Sequence, residues 1–253
     1  MTQTFQNRTA LITGAGRGIG RAIALALASA GARVALLART RDELDEVAGI
    51  VHGHGGIALV LQADLGDPAQ VTQAASRALS DFGAVDVLIN NAAVVWPLGP
   101  TSLVDPLDWA TAIAINVVGP ATLSMALLPA MLDRGWGRIV NVSARIAAQP
   151  AALIGGNAYA ASKAALEGHT LNLAAEITGT GVTVNAFRPG AVDTTMQAWI
   201  RGQPREKIGA ELHDRFTTAY QQGTLITPEQ SARSLIEHLQ DGRSGEIWSV
   251  GDA

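Results

Sequence analysis

Tyr159 and Lys163 stand four positions apart in the run Tyr159-Ala-Ala-Ser-Lys163. On a helix that spacing puts a phenol and an ammonium on one face. A free phenol has a pKa of about 10. A neighbouring cation favours the phenolate and draws that value toward the range where the group can both give and take a proton. The chemistry on offer is proton transfer to or from an oxygen. An incidental Tyr and Lys on a helix surface would look the same, so the pair gains meaning only from its surroundings.

A second stretch supplies a partner for that chemistry. The turn Thr13-Gly-Ala-Gly-Arg-Gly-Ile-Gly20 lies between a short apolar run, Thr9 to Thr13, and an Ala-rich helical run, Ile19 to Ala30. Glycines there permit positive φ and let backbone N–H groups approach a pyrophosphate, whose charge a helix N-terminus favours. Strand, glycine turn and helix in that order predict a nucleotide cradle.

The glycines at 14, 18 and 20 read TGxxxGxG, a spacing different from the GxGxxG dinucleotide fingerprint. With the YxxxK pair downstream, the sequence resembles the short-chain dehydrogenase/reductase family, in its single-domain branch of about 250 residues. The resemblance implies an oxidoreductase with a nicotinamide dinucleotide, usually a homotetramer or dimer. Alternating strands and helices independently predict an α/β fold: a single-domain, doubly wound Rossmann fold, its seven-stranded parallel sheet covered by helices on both faces. The whole chain, 1–253, reads as that one domain.

Composition agrees. The 253 residues are 48% hydrophobic and 16% charged, which fits a sheet buried on both faces. A net charge of −4 with scattered arginines gives no reason to expect nucleic acid. With no cysteine, thiol and disulfide chemistry is impossible. Residues 1–9 are polar and no apolar stretch approaches the ~20 residues of a membrane span. A cytoplasmic protein with no membrane partner and no metal site is expected.

Taken in order, the second strand is Arg33 to Ala38. An NAD enzyme would be expected to place a carboxylate near its end to accept from the ribose 2′-OH. Here Ala38 is followed by Arg39, and Arg17 lies in the glycine turn. A 2′-phosphate wants guanidinium groups, so NADP(H) is expected over NAD(H), the alternative. A helix over Arg41 to Gly53, a strand over Ile57 to Gln62, a helix over Pro68 to Phe82 and a strand over Val85 to Asn90 follow. A long helical stretch covers Asp105 to Leu132. Then come a strand over Arg138 to Val142, the helix of Tyr159 and Lys163 over Asn157 to Thr178, a strand over Val182 to Phe187, a helix over Pro228 to Asp241 and a strand over Glu246 to Val250.

The resemblance assigns roles along this path. Cofactor contacts are implied at Gly14, Arg17, Gly18, Ile19, Gly20, Arg39, Asp64, Leu65, Asn91 and Ala92, at Tyr159 and Lys163, and in Arg188-Pro-Gly-Ala-Val-Asp-Thr194 at Pro189, Gly190, Val192 and Thr194. Asn116, poorly placed in a helix interior on propensity, is implied to bend its helix and link Lys163 to water. The family also implies a serine holding the substrate oxygen beside the tyrosine. Against its NxSS pattern, Asn141-Val-Ser143-Ala144 has Ala144 where that serine belongs. Neighbouring strand residues face opposite ways, so Ser143 serves as the catalytic candidate only if the chain re-aims it. The long spacing from Ser143 to Tyr159 implies a small insertion within 145–157.

The segment 193–224 is expected to form a substrate lid of two small helices. Val95, Trp96, Leu153, Ile154, Met196 and Trp199 are expected to line an apolar substrate pocket. The reading is NADPH-dependent interconversion of a hydrophobic ketone or aldehyde and its alcohol, as in a carbonyl reductase, with Tyr159 as proton donor. Its alternatives are an NAD-dependent alcohol dehydrogenase and a dinucleotide-binding protein whose catalysis is impaired by Ala144.

Overall fold

Strands with near-continuous apolar sequence need cover on both faces, and alternation along each strand divides the side chains between two layers. In the computed structural model, which describes residues 5–251, that division is clear. The first four residues of the polar N-terminal stretch lie outside the described residues. Ala10 and Ile12 of β1 (Thr9–Thr13) join one core cluster, whereas Leu11 joins the other. Val34 and Leu36 of β2 (Arg33–Ala38) point to the first cluster, Ala35 and Leu37 to the second. The first layer holds α1 (Gly18–Ser29), α2 (Arg41–Gly53) and α10 (Pro228–Leu239). The second holds α3 (Pro68–Phe82) and α5 (Gly119–Asp133), with residues of α6 (Asn157–Glu176). Full burial of one Leu or Ile contributes about 1.5–3 kcal/mol, so these two layers dominate the favourable side of folding.

The remaining strands are β3 (Ala58–Gln62), β4 (Val87–Asn90), β5 (Gly137–Val142), β6 (Val182–Arg188) and β7 (Ile247–Ser249). All pairings are parallel and the order is β3-β2-β1-β4-β5-β6-β7. The chain leaves β1 in one direction and returns to its other side as β4, so the order reverses between them. Ligands bind outside the carboxyl ends of strands at such a switch point.

Several boundaries differ from the sequence expectation. Ile57 is 53% exposed and precedes the third strand. Val85 and Asp86 precede the fourth, and Asp86 instead accepts from the Thr9 N–H at 2.9 Å. The long apolar helix is α4 (Pro106–Ile113), a π-helical turn at 114–118 and α5 in one path. Contrary to the sequence expectation, Pro106–Asp133 is, by length and composition, a helix apolar enough to cross a membrane, the one such among the described residues; 44% of its 18-residue apolar window is buried within this fold. The lid segment forms three helices rather than two: α7 (Thr195–Arg201), α8 (Arg205–Ile208) and α9 (Ala210–Gln221). Pro204 and Gly209 break the helical path between them.

Candidate active site

The switch point is pinned by hydrogen bonds at the strand ends. Thr13 Oγ1 accepts from the N–H groups of Asn91 and Ala92, both at 2.9 Å, and Asn91 Nδ2 donates to the Thr13 carbonyl at 2.9 Å. Gly14 follows with φ +65°, a conformation that costs an L side chain but not glycine. Gly20 faces the same turn, and a Cβ there would lie 2.2 Å from the Gly14 carbonyl oxygen. The N-terminus of α1 can therefore fold tightly back on the turn.

These features wall a cleft of ≈ 650 Å³, within the usual span of ligand pockets. Of the expected cofactor contacts, Gly14, Arg17, Gly18, Ile19, Arg39, Asp64, Leu65, Asn91, Ala92 and Thr194 line it. Thr194 caps α7, accepting from the Gln197 N–H, and its methyl group lies beside Gly18. Gly20, Tyr159, Lys163, Pro189, Gly190 and Val192 lie outside the lining; Gly190 has φ +82° and Val192 bridges to Ile226. Val95, Trp96, Met196 and Trp199 line the cleft's apolar end. Leu153 and Ile154 do not. Leu153 is buried in the neighbouring apolar cluster and Ile154 is 66% exposed, because two 3-10 turns, Arg145–Ala147 and Pro150–Ala152, direct the insertion there.

The residues of this cleft without a local sequence signal include Gly16, Thr40 and Glu43. Glu43 reads from sequence as an ordinary acid in the first turn of a helix. Nothing in the local pattern shows that it accepts from Arg17 Nη1 at 3.3 Å.

Tyr159 and Lys163 ride on α6 at the end of β5. Lys163 is buried, donates from Nζ to the Val142 carbonyl at 2.7 Å, and stands 5.6 Å from the Tyr159 ring centroid. Burial pulls its pKa down to about 8, against the opposing pull of the Glu167 carboxylate. The Tyr159 ring packs with Ala144, Met196 and Phe216 against an apolar cluster that includes Ile146, Leu153 and Ile200. Burial pushes its pKa up to about 12. This corrects the sequence expectation for the protein without ligand: the lysine does not bring the phenol toward neutrality, and desolvation wins. The phenol stays protonated throughout the physiological range.

Asn116 lies on the π-helical turn, fully buried. Its side chain clasps the backbone of Val94, accepting from the N–H and donating to the carbonyl at 2.8 Å each, and also donates to Ser162 Oγ at 3.0 Å. It thus ties the chain after β4 to α6, while Lys163 Nζ is engaged by the Val142 carbonyl. Asn90 and Asn141 continue the polar seam: Asn90 Nδ2 donates to Asn141 Oδ1 at 2.8 Å, and Asn141 Nδ2 to Thr170 Oγ1 at 2.9 Å.

Ser143 is not re-aimed. Its N–H extends the ladder by donating to the Phe187 carbonyl at 2.8 Å, so strand alternation persists past Val142. Its hydroxyl donates to Glu167 Oε1 at 2.7 Å, and it is 1% exposed. Glu167 also takes a bidentate contact from Arg188 Nε and Nη2, both at 2.8 Å. This network joins β5, α6 and the end of β6 beneath Lys163. The Ser143 hydroxyl, expected as a catalytic group, is thus committed to Glu167. Ala144, extended at φ −158° and ψ 154°, packs against the same apolar cluster as Tyr159.

A glycine-lined cleft, a buried ammonium and a protonated phenol packed on an apolar cluster are suited to cofactor-dependent chemistry at an oxygen. The family model for short chain dehydrogenases matches residues 8–205. This chain belongs to that family. Its reaction class is therefore oxidoreduction. The chain is 33% identical over 250 residues to the cis-4-hydroxycyclohexanecarboxylate dehydrogenase of Sinomonas cyclohexanicum, covering 99% of this chain and 96% of the relative. Among solved structures, a short chain dehydrogenase from Burkholderia cenocepacia in complex with NADP superposes with a TM-score of 0.81 at 30% identity, covering 98% and 97% of the two chains. The 3-ketoacyl-(acyl-carrier-protein) reductase from Brucella melitensis, complexed with NADH, gives 0.83 at 28% identity, covering 97% of each.

Proposed function

We propose that the protein is an NADPH-dependent oxidoreductase interconverting an apolar ketone or aldehyde and its alcohol, with Tyr159 as proton donor and Lys163 and Asn116 as its support. The observation that supports this reading is the buried Lys163 standing 5.6 Å from the ring of Tyr159, which packs against an apolar cluster, in a fold that also carries a cleft built on a glycine turn. The cleft's composition fits a dinucleotide: Gly14 leaves the turn backbone open, and Arg17 and Arg39 line the wall at which β2 ends in Ala38 rather than in a carboxylate. Gly14, Gly18, Ile19, Asp64, Leu65 and Ala92 would hold the cofactor along that wall, with Lys163 and Thr194 toward the reacting end. When bound, the nicotinamide supplies the hydride. Tyr159 delivers a proton to the carbonyl oxygen as charge develops there, and the cluster around Leu153 and Ile200 excludes water and favours an apolar substrate.

Cofactor choice is tested by titrating NADPH and NADH into the wild type and Arg39→Asp, following cofactor fluorescence. The wild type should bind NADPH more tightly, and Arg39→Asp should weaken NADPH by roughly tenfold, the value of one charge-assisted contact to phosphate. An unchanged preference would remove Arg39 from the account.

The titrations of the two groups set the pH dependence. Tyr159 stays protonated up to about 12, so the reductive direction keeps its acid across the working range. Lys163 is charged below about 8 and loses its charge above it. The kcat/KM for reduction, which reports the free enzyme, should be level at lower pH and fall along a single-proton limb above about 8. A level profile to pH 10 would contradict this assignment of Lys163.

A second reading, a dinucleotide-binding protein with impaired turnover, rests on Ala144 standing where a serine is expected while the Ser143 hydroxyl is committed to Glu167. We also propose a cytoplasmic homo-oligomer, a dimer or tetramer. Exposed Leu107, Val118 and Met125 along the α4–α5 path support self-association, which light scattering would resolve.

A further inference from the structure

In the proposed dinucleotide cleft, the acid that β2 lacks at Ala38 is supplied from a different element. Glu43, in the first turn of α2, lines the same wall as Gly16, Arg17, Arg39 and Thr40. Its Oε1 accepts from Arg17 Nη1 at 3.3 Å, with Arg17 61% and Glu43 33% exposed. The side chain also lies flat on the glycine turn: a Cβ on Gly16 would stand 2.7 Å from Glu43 Cβ and 3.0 Å from Oε2. Gly16 is thus a residue whose missing side chain makes room for this carboxylate. On the other side of the wall, Arg39 Nη1 stands 3.9 Å from Asp64 Oδ2. Both arginines that would recognise a phosphate are already faced by acids.

We propose that Glu43 is a specificity-determining residue that competes with the 2′-phosphate of the dinucleotide for Arg17 and narrows the preference for NADPH over NADH. An exposed carboxylate–guanidinium pair is weak and readily exchanged. A phosphate brings more charge and more acceptor oxygens to the same fork, so it displaces the carboxylate, at a loss of affinity set by the pair that must break. A dinucleotide with a free ribose 2′-hydroxyl carries no such charge. Glu43 then keeps Arg17 neutralised and is an acid on the same wall, able to accept from the ribose, as a carboxylate at the end of β2 would. The site is built to take both dinucleotides, with the arginines favouring one and Glu43 restraining that choice.

This inference rests on the cleft being a dinucleotide site, and binding measurements separate the two claims without turnover. Dissociation constants for NADPH and NADH are measured by cofactor fluorescence on the wild type, Glu43→Gln and Arg39→Asp. Glu43→Gln should tighten NADPH and weaken NADH, raising the preference for NADPH by roughly tenfold. A rise of less than about threefold, or a fall, overturns the role of Glu43. Arg39→Asp reports on the arginine reading alone. If it loses NADPH affinity while Glu43→Gln keeps the wild-type preference, the dinucleotide site stands and the Glu43 proposal fails. If the wild type binds neither dinucleotide, both fail together.

Discussion

Tyr159→Phe is expected to lower kcat for carbonyl reduction by roughly a thousandfold while leaving the dissociation constant for NADPH within about twofold of wild type, the loss typical of a positioned general acid. The substitution removes one oxygen and keeps the ring, which packs with Met196 and Phe216 against the apolar cluster. The site's shape and its exclusion of water should therefore survive. What disappears is the proton: a carbonyl oxygen that gains charge during hydride transfer then has only solvent to supply it, in a cavity arranged to keep solvent out. Because the phenol is pushed up to about 12 by burial, the wild-type group is a reserve of acid rather than a ready base. Steady-state reduction beside a fluorescence titration of NADPH separates the possibilities. A rise in KM with unchanged kcat would make Tyr159 a binding contact instead of a proton donor.

Ala144→Ser carries the second large effect, in the opposite direction. A hydroxyl there should raise kcat by on the order of tenfold to a hundredfold. One donor at a developing oxyanion is worth about 3 kcal/mol, and burying a hydroxyl in apolar surroundings takes back about 1–2 kcal/mol of that. The backbone already has the extended conformation of the strand, and this residue packs against the same apolar cluster as Tyr159, so the added oxygen needs no rearrangement of the chain. Steady-state reduction with one ketone on both proteins is the check. If kcat does not change, position 144 is not where the substrate oxygen is held, and the site works with Tyr159 and Lys163 alone.

How much of this could be read from the chain follows from the range of the interactions. Strands buried on both faces appear as apolar runs, and the Leu11 and Ile12 alternation that splits the two layers is a local property. The glycine turn is equally local. The direction of Ser143 also follows from alternation, and the structure adds the reason it is held there: Glu167 lies 24 positions away, a separation that no local pattern reports. Tyr159 was harder. Its acidity depends on Ile146, Leu153, Ile200 and Ile208 gathering around it, and these come from separate segments, so charge proximity alone gave the wrong sign. The outward turn of Ile154, 66% exposed, has no local signature because the 3-10 turns beside it lack the periodicity that tells an inward side chain from an outward one. Glu43 was invisible for the same reason as Glu167: its partner Arg17 sits on another element, 26 positions away.

The most direct test of the account is NADPH consumption by the wild-type protein across a panel of apolar ketones and aldehydes. Intact Tyr159 and Lys163 beside a cavity without a serine hydroxyl predict slow but measurable turnover on at least one apolar carbonyl, lost in Tyr159→Phe. Tight NADPH binding with no consumption across the panel would contradict the proposed reaction and leave a dinucleotide-binding protein in its place.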